Sequence, residues 1–302
     1  MSLYKKHRPE SLKDIVGNTE TVSSLSTMLD KNELPHAILI SGPTGCGKTT
    51  VARILAKELG AEGLDLQELD TADFRGIDKV RRIREVAVLS PMKVVRLFIL
   101  DECHKLTNEA QNALLKILED TPRRAYFILC TTEPDKLLKT ILGRCVQYEM
   151  QLLEDKQMRM MLKRVLRDED EHIEDDVLEV IIETSQGHPR NALQTLEKTL
   201  SVPDNERLET AKTTQYVETQ SIELCRALMD PRRMWNPVRE ILKGLKNQEP
   251  EGIRRHVMGY AQSVLLNKDN EQAGLVLEMF QEPFYNTGFP GLVFACYSVI
   301  KA

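Results

Sequence analysis

Gly42-Pro43-Thr44-Gly45-Cys46-Gly47-Lys48-Thr49 is the stretch on which the reading of this chain turns. The apolar run Ala37-Ile38-Leu39-Ile40 precedes it, and a helical pattern of Val51, Ile54, Leu55 and Leu59, closed by Gly60, follows it. Strand, glycine-rich loop and helix start are the surroundings that a phosphate-binding loop requires. The glycines let backbone N–H groups wrap phosphate oxygens without a Cβ in the way, and the positive end of the helix faces the same anion. Lys48 is placed to reach the β- and γ-phosphates of a nucleotide, and the Thr49 hydroxyl to sit on Mg²⁺. Thr50, next along the helix, is assigned to the same site.

Outward from this loop, apolar runs recur at Leu66–Leu69, Val94–Leu100, Tyr126–Cys130 and Val146–Tyr148. Helical periodicities separate them, in Ile77, Val80, Ile83 and Val86, then in Ala110, Leu114, Ile117 and Leu118. Strands alternating with helices predict an α/β fold with a parallel sheet covered on both faces. After Glu149 the strand signals fade. Leu152–Leu200 reads as three helices, Ser201–Thr214 with its Pro203-Asp204-Asn205 as a linker, and Tyr216–Ala302 as helical again. The expected organisation is therefore an α/β nucleotide-binding domain over 1–150, a helical domain over 151–202 and an all-α domain over 203–302. Met234, Trp235, Val238, Ile241, Leu242 and Leu245 form an apolar stripe suited to packing or to an oligomer contact.

Composition narrows the function classes. The 302 residues are 41% hydrophobic and 29% charged, with no apolar run long enough to span a bilayer. Met1–Glu10 is polar and basic, unlike a secretory signal. The six cysteines form no Cys-x-x-Cys pair, which points to a reducing, cytoplasmic setting without a zinc module or disulfide framework. A formal charge of −5 excludes a global basic signature for nucleic acid, yet Arg75–Arg96 carries seven basic residues against two acidic ones. A localised basic face can bind a phosphate backbone on an acidic protein.

Further residues carry chemistry. Leu97-Phe98-Ile99-Leu100-Asp101-Glu102 is an apolar strand ending in two acids, which such sheets place beside the phosphate-binding loop. Asp101 is expected to hold Mg²⁺ with Thr49, and Glu102 to orient the attacking water. Tyr126–Thr132 is a second apolar strand, ending in hydroxyls that put Thr132 within reach of that water or the γ-phosphate. Gly187-His188-Pro189-Arg190 starts a helix, with Arg190 in a first turn where a cation is disfavoured unless an anion or acid offsets it.

With these features in this order the chain resembles the clamp-loader branch of the AAA+ ATPases, which use ATP to place ring-shaped sliding clamps on primer–template DNA. The resemblance covers about residues 1–200 and is densest at Leu100–Leu106, Asn112–Lys116 and Ile141-Leu142-Gly143-Arg144-Cys145. Arg75-Gly76-Ile77-Asp78 looks like the small subunits of the eukaryotic replication-factor loader. The acidic-strand and threonine segments look like the bacterial gamma/tau subunit, and a bacteriophage loader would suit the mixture. The resemblance implies an AAA+ module, a helical lid and a collar that assembles subunits into a pentamer-like spiral. It makes Lys48 and Thr49 the phosphate-loop pair, Asp101 and Glu102 the metal-binding and water-activating acids, Thr132 the first sensor and Arg190 the second. It makes Arg144 a finger acting on a neighbouring subunit. Arg8-Pro9, with Val16, belongs to the adenine pocket, and the helix from Arg75-Gly76, with Lys79 and Arg82, tracks DNA without reading its sequence. Val86–Met92 is the candidate clamp contact. The implied partners are the clamp, primer–template DNA and other loader subunits, with ATP and Mg²⁺ as ligands and no membrane. Gly143 stands where the family has serine, and His7 where it commonly has tyrosine or tryptophan. A helicase-type motor and a non-hydrolysing structural subunit are the alternatives. The first is disfavoured by the lack of room for two motor domains, the second by intact Lys48, Thr49, Asp101 and Glu102.

Overall fold

The computed structural model describes residues 2–71, 76–230, 232–246, 248, 250–267 and 270–301, without the side chains of 213–222 and 267. The chain divides into two compact units, Met1–Leu208 and Glu209–Ala302. In the first, β1 (Ala37–Ser41), β2 (Leu66–Asp70), β3 (Arg96–Asp101), β4 (Ala125–Thr131) and β5 (Val146–Glu149) form a parallel sheet in the order β2-β3-β4-β1-β5. Its helices are α1 (Leu3–Lys6), α2 (Thr19–Asp30), α3 (Lys48–Glu58), α4 (Ile77–Ala87), α5 (Asn108–Glu119), α6 (Lys139–Leu142), α7 (Asp155–Asp168), α8 (Asp175–Ser185) and α9 (Pro189–Leu200).

Alternation along each strand feeds two cores. Leu39, Phe98, Leu100, Phe127 and Leu129 point to the face covered by α4 and α5, where Val80, Ile83, Leu114 and Ile117 are buried against them. Ile38, Ile40, Leu97, Ile99, Ile128 and Cys130 point to the face that receives Leu25 of α2 and Val51, Ile54 and Leu55 of α3. Burial on both faces is why the central strands β1, β3 and β4 read as continuous apolar runs, whereas the edge strands β2 (Leu66-Gln67-Glu68-Leu69-Asp70) and β5 (Val146-Gln147-Tyr148-Glu149) carry polar residues and are largely exposed or half-buried. Each fully buried leucine or isoleucine contributes about 1.5–3 kcal/mol relative to exposure. The Phe98 and Phe127 rings stack at 5.0 Å on neighbouring strands.

Two expectations need correction. The strand expected from Val94 begins at Arg96, and Val94 is 63% exposed. Arg96 itself is buried, its guanidinium 2.9 Å from Asp65 and donating to the Val86 carbonyl at 2.6 Å, so it leaves the basic surface segment. The expected linker is helical from Asp204, as α10 (Asp204–Leu228). Pro203 precedes a first turn holding Asp204 and Glu206, which suits a helix start as well as it suits a turn.

The second unit is helical. The rest of α10, then α11 (Trp235–Gly244), α12 (Pro250–Asn267), α13 (Glu271–Met279) and α14 (Gly288–Lys301), surround a core that includes Leu224, Val238, Leu242, Val257, Phe280, Leu292 and Val299. The apolar stripe of α11 therefore packs inward at Val238 and Leu242, while Met234 is 47% exposed. Among the described residues no helix is long and apolar enough to cross a membrane.

Candidate nucleotide site

The loop between β1 and α3 turns through left-handed backbone at Gly42, Gly45 and Gly47. A Cβ on Gly42 would stand 2.3 Å from the Met150 carbonyl oxygen, so the loop tolerates no side chain there. Lys48, at the start of α3, is buried, and its ammonium donates to the Gly42 and Pro43 carbonyls, both at 2.8 Å. Burial raises the pKa of the Cys46 thiol, against the opposing pull of Lys48, which keeps it protonated.

Strand order assembles the polar groups. β4 lies between β3 and β1, so the residue just past its end emerges between the acids of β3 and the loop after β1. The Thr49 hydroxyl donates to Asp101 Oδ2 at 2.8 Å, and the Thr132 hydroxyl to Glu102 Oε2 at 3.3 Å. Glu102 has φ +51°, a left-handed conformation uncommon outside glycine and asparagine. That turn is held by two bonds from the end of β2: Thr71 N–H to the Asp101 carbonyl at 3.0 Å and Thr71 Oγ1 to the Glu102 carbonyl at 2.6 Å. A hydroxyl beside a carboxylate is a hard oxygen pair that fits Mg²⁺, which takes one or two carboxylates and completes its shell with water and substrate phosphates. No cluster of three or more His, Cys, Asp or Glu suited to a metal occurs among the described residues.

A cavity of about 420 Å³ adjoins the loop. Arg8, Pro9, Val16, Gly45, Cys46, Gly47, Thr50 and Arg190 line it, bringing together residues far apart in sequence. Lys48, Thr49, Asp101, Glu102 and Thr132 are outside that lining and gather at the strand tips. Arg190 is exposed in the first turn of α9, 6.0 Å from the centre of the Tyr4 ring. Its Cβ would be 3.3 Å from a Cβ on Gly45, and His188 Nδ1 lies 2.8 Å from the Thr44 carbonyl, so the start of α9 rests on the loop. Beside the cavity the N-terminal segment is tied to α7 and its end: Lys6 and His7 both bond Glu169, and Arg164 reaches Asp14 at 3.2 Å. The Lys6 ammonium first, then His7, holds the Glu169 carboxyl below its usual range.

Arg144 stands apart from these groups. It is exposed, pairs with Glu119 and donates to the Thr140 carbonyl at 3.3 Å. It precedes β5, whose Val146 pairs with Ile38, so it is at the opposite end of the parallel sheet from the loop. At ~3.3 Å per residue, the six-residue offset from Gly42 is ~20 Å, beyond an arginine side chain's reach. On α4, Gly76 is the N-cap and Lys79 and Arg82 share an exposed face at i, i+3, while Arg75 lies outside the described residues.

Residues 65–154 match the family model described as DNA polymerase III, delta subunit. The chain is 38% identical to the DNA polymerase III subunit gamma/tau of Mycobacterium bovis, over 67% of this chain and 39% of that protein. It is 33% identical to the Bacillus subtilis tau subunit, over 66% and 39%, and 32% identical to the gamma subunit of Buchnera aphidicola subsp. Schizaphis graminum, over 67% and 62%. The chain belongs to the clamp-loader branch of the AAA+ proteins. It spans less than two thirds of the length of these relatives. Solved structures of Thermotoga maritima RuvB share the family fold at 20–23% identity. One of them, described as a Holliday junction branch migration motor, has a TM-score of 0.60 over 89% of this chain and 90% of its own. That likeness concerns the fold alone.

Several contacts of the site have no counterpart in the sequence reading. His104 touches Glu102 and Thr131, and Gln111 ties the segment after the acids to the segment after β4. His104 sits two residues beyond Glu102 in Asp101-Glu102-Cys103-His104, which was the one available signal. The bond from Thr71 and the strap at Glu169 join residues with no local motif.

Proposed function

We propose that this chain binds ATP with Mg²⁺ and hydrolyses it as a subunit of a DNA sliding-clamp loader. The observation that carries the reading is that the loop, the acids and Thr132 gather at the strand tips while Arg144 is exposed at the opposite end of the sheet, which suits a site completed by a neighbour. Membership of the clamp-loader branch supports the loader context.

In this reading Arg8, Pro9 and Val16 hold the adenine, and the loop from Gly42 to Thr50 wraps the phosphates through its N–H groups. Lys48 exchanges its loop carbonyls for the β- and γ-phosphates. Thr49 and Asp101 would hold Mg²⁺, which supplies positive charge to the phosphate oxygens when bound. Glu102 orients the attacking water, Thr132 hydrogen-bonds the water or the γ-phosphate, and Arg190 reads the same phosphate from the lid. Arg144 completes the site of an adjoining copy or related subunit. Residues 151–202 serve as the lid and 203–302 as the collar. ATP binding opens the clamp and engages primer–template DNA along Arg75, Gly76, Lys79 and Arg82. Val86–Met92 meets the clamp, and hydrolysis releases the loaded ring.

Two measurements test this. ATP turnover is expected to rise when a sliding clamp and primer–template DNA are added together; a rate indifferent to both, or strand displacement by the protein alone, counts against a loader. Arg144→Ala and Glu102→Gln proteins should each hydrolyse poorly while binding ATP normally. Mixed, they should regain turnover, because the second supplies Arg144 to the intact acids of the first. A mixture no faster than its parts removes the role across subunits.

A further inference from the structure

His104 is three residues past Asp101, on the short turn Cys103–Lys105 that follows β3, and its side chain is 7% exposed. Its ring fills the space between the acids of β3 and the end of β4. Nδ1 is 3.0 Å from Thr131 Oγ1 and 3.4 Å from Glu102 Oε2, and Nε2 is 3.3 Å from Glu133 Oε1. A carboxylate held at one oxygen has its plane, and therefore its second oxygen, aimed. Here Thr132 Oγ1, at 3.3 Å, and His104 Nδ1, at 3.4 Å, both approach the same oxygen, Oε2.

Which ring nitrogen carries the proton matters. Burial, the largest influence, lowers the His104 pKa below its usual 6.5 against the pull of Glu102 and Glu133, with Lys105 and Lys136 adding to the fall. A neutral ring has one N–H to donate. Glu133 is already neutralised by Lys136 at 2.7 Å, so the proton is better used at Nδ1, which bonds Thr131 Oγ1 at 3.0 Å and sets its positive edge 3.4 Å from Glu102 Oε2. Thr131 Oγ1 is itself fixed by the Glu133 N–H at 3.0 Å.

We propose that His104 is a positioning residue for Glu102: its Nδ1–H, anchored on Thr131, holds the carboxylate electrostatically against the end of β4, so that Glu102 and Thr132 move as one unit. The inference rests on the reading of Glu102 as the residue that orients water. His104 touches no reacting atom and acts only through Glu102.

The test uses the full chain, with single-turnover hydrolysis of ATP and the affinity for a fluorescent ATP analogue measured side by side. His104→Ala is expected to slow hydrolysis about ten-fold or more while leaving affinity within about two-fold, the pattern of an interaction needed only for the chemical step. His104→Asn, whose amide nitrogen can stand at Nδ1, should recover most of the rate; His104→Gln, whose amide nitrogen stands at Nε2, should not. A merely structural histidine would not separate these two amides. Wild-type hydrolysis by His104→Ala, or equal rates for Asn and Gln, overturns the proposal, and the amide pair decides it even if the alanine variant fails to fold. Glu102→Gln separates the two levels of the argument. Normal hydrolysis by that variant removes the role of Glu102 itself; abolished hydrolysis there beside a fast His104→Ala removes only the positioning role.

Discussion

Replacing Gln111 by leucine should destabilise the first unit far more than its change in size suggests. Gln111 lies on the inner face of α5 and is 1% exposed. Its amide nitrogen donates to the Leu106 and Lys136 carbonyls at 3.2 and 3.3 Å, and its oxygen accepts from the Leu138 N–H at 2.9 Å. Leucine fills similar space but offers none of these partners. The variant leaves a buried N–H unpaired, and each such group costs roughly 1–3 kcal/mol, while carbonyls with a second lone pair cost less. A total near 3 kcal/mol follows by summing these costs over one N–H and two carbonyls. For a unit of this size that is a fall in Tm of about 6–12 °C. Calorimetry is the suitable assay, because the single tryptophan, Trp235, belongs to the other unit and does not report on this one. Gln111→Glu sharpens the test. It sets a carboxylate against two carbonyl oxygens, so it should be worse than leucine at pH 8 and recover in acid, where the protonated acid can again donate. A Gln111→Leu protein melting within about 2 °C of the parent would refute the accounting of unpaired groups on which the estimate stands.

Other consequences are open to direct measurement. Gly42→Ala should lower affinity for an ATP analogue at least about ten-fold, since its Cβ would displace Met150 and distort the loop; calorimetric titration showing an unchanged Kd would contradict this. Glu169→Gln should speed nucleotide release a few-fold by freeing Lys6 and His7 from α7, with an effect that shrinks in high salt; stopped-flow release at the parental rate would dismiss the strap. In the second unit, buried Glu251 is held below its usual 4.5 chiefly by the hydrogen bond from Arg254, against the opposing effect of burial. Its depressed folded pKa means that the pair stabilises fully above pH 4.5 and that this contribution is lost as pH falls through the lower folded value. The Tm gap between the parent and Glu251→Gln should therefore be wide at pH 7 and close toward pH 3; a constant gap would show that the charge on Glu251 is irrelevant.

What could be read from sequence depended on how local each feature was. Lys48, Thr49 and the glycines lie within eight consecutive residues, so their chemistry is visible without a fold. The central strands were visible because burial on both faces makes them uniformly apolar, and the same cue misled at Val94, an exposed apolar residue beside a strand. Charge misled at Arg96, which neutralises buried Asp65. Pro203-Asp204 is ambiguous in principle, since the residues that make a turn also start a helix. Thr132 meets Glu102 only because β4 is inserted between β3 and β1, and strand order leaves no local trace. His104, Gln111 and Glu169 each also reach a partner 25 to more than 160 positions away, using side chains that are common everywhere.

A parallel sheet has a direction, and here it gives the subunit two unlike ends, with the Gly42–Thr49 loop and the acids at one and the exposed Arg144 at the other. On the proposed reading, two copies related by a two-fold axis could not complete each other's sites through one shared patch, because an isologous contact sets like against like. If Arg144 acts on a neighbour, copies join head to tail instead. In any row that does not close, the last receiver has no donor, so one nucleotide site is always short of its arginine. An open chain of such subunits therefore has a built-in beginning and end, and the gap itself marks where hydrolysis cannot be completed.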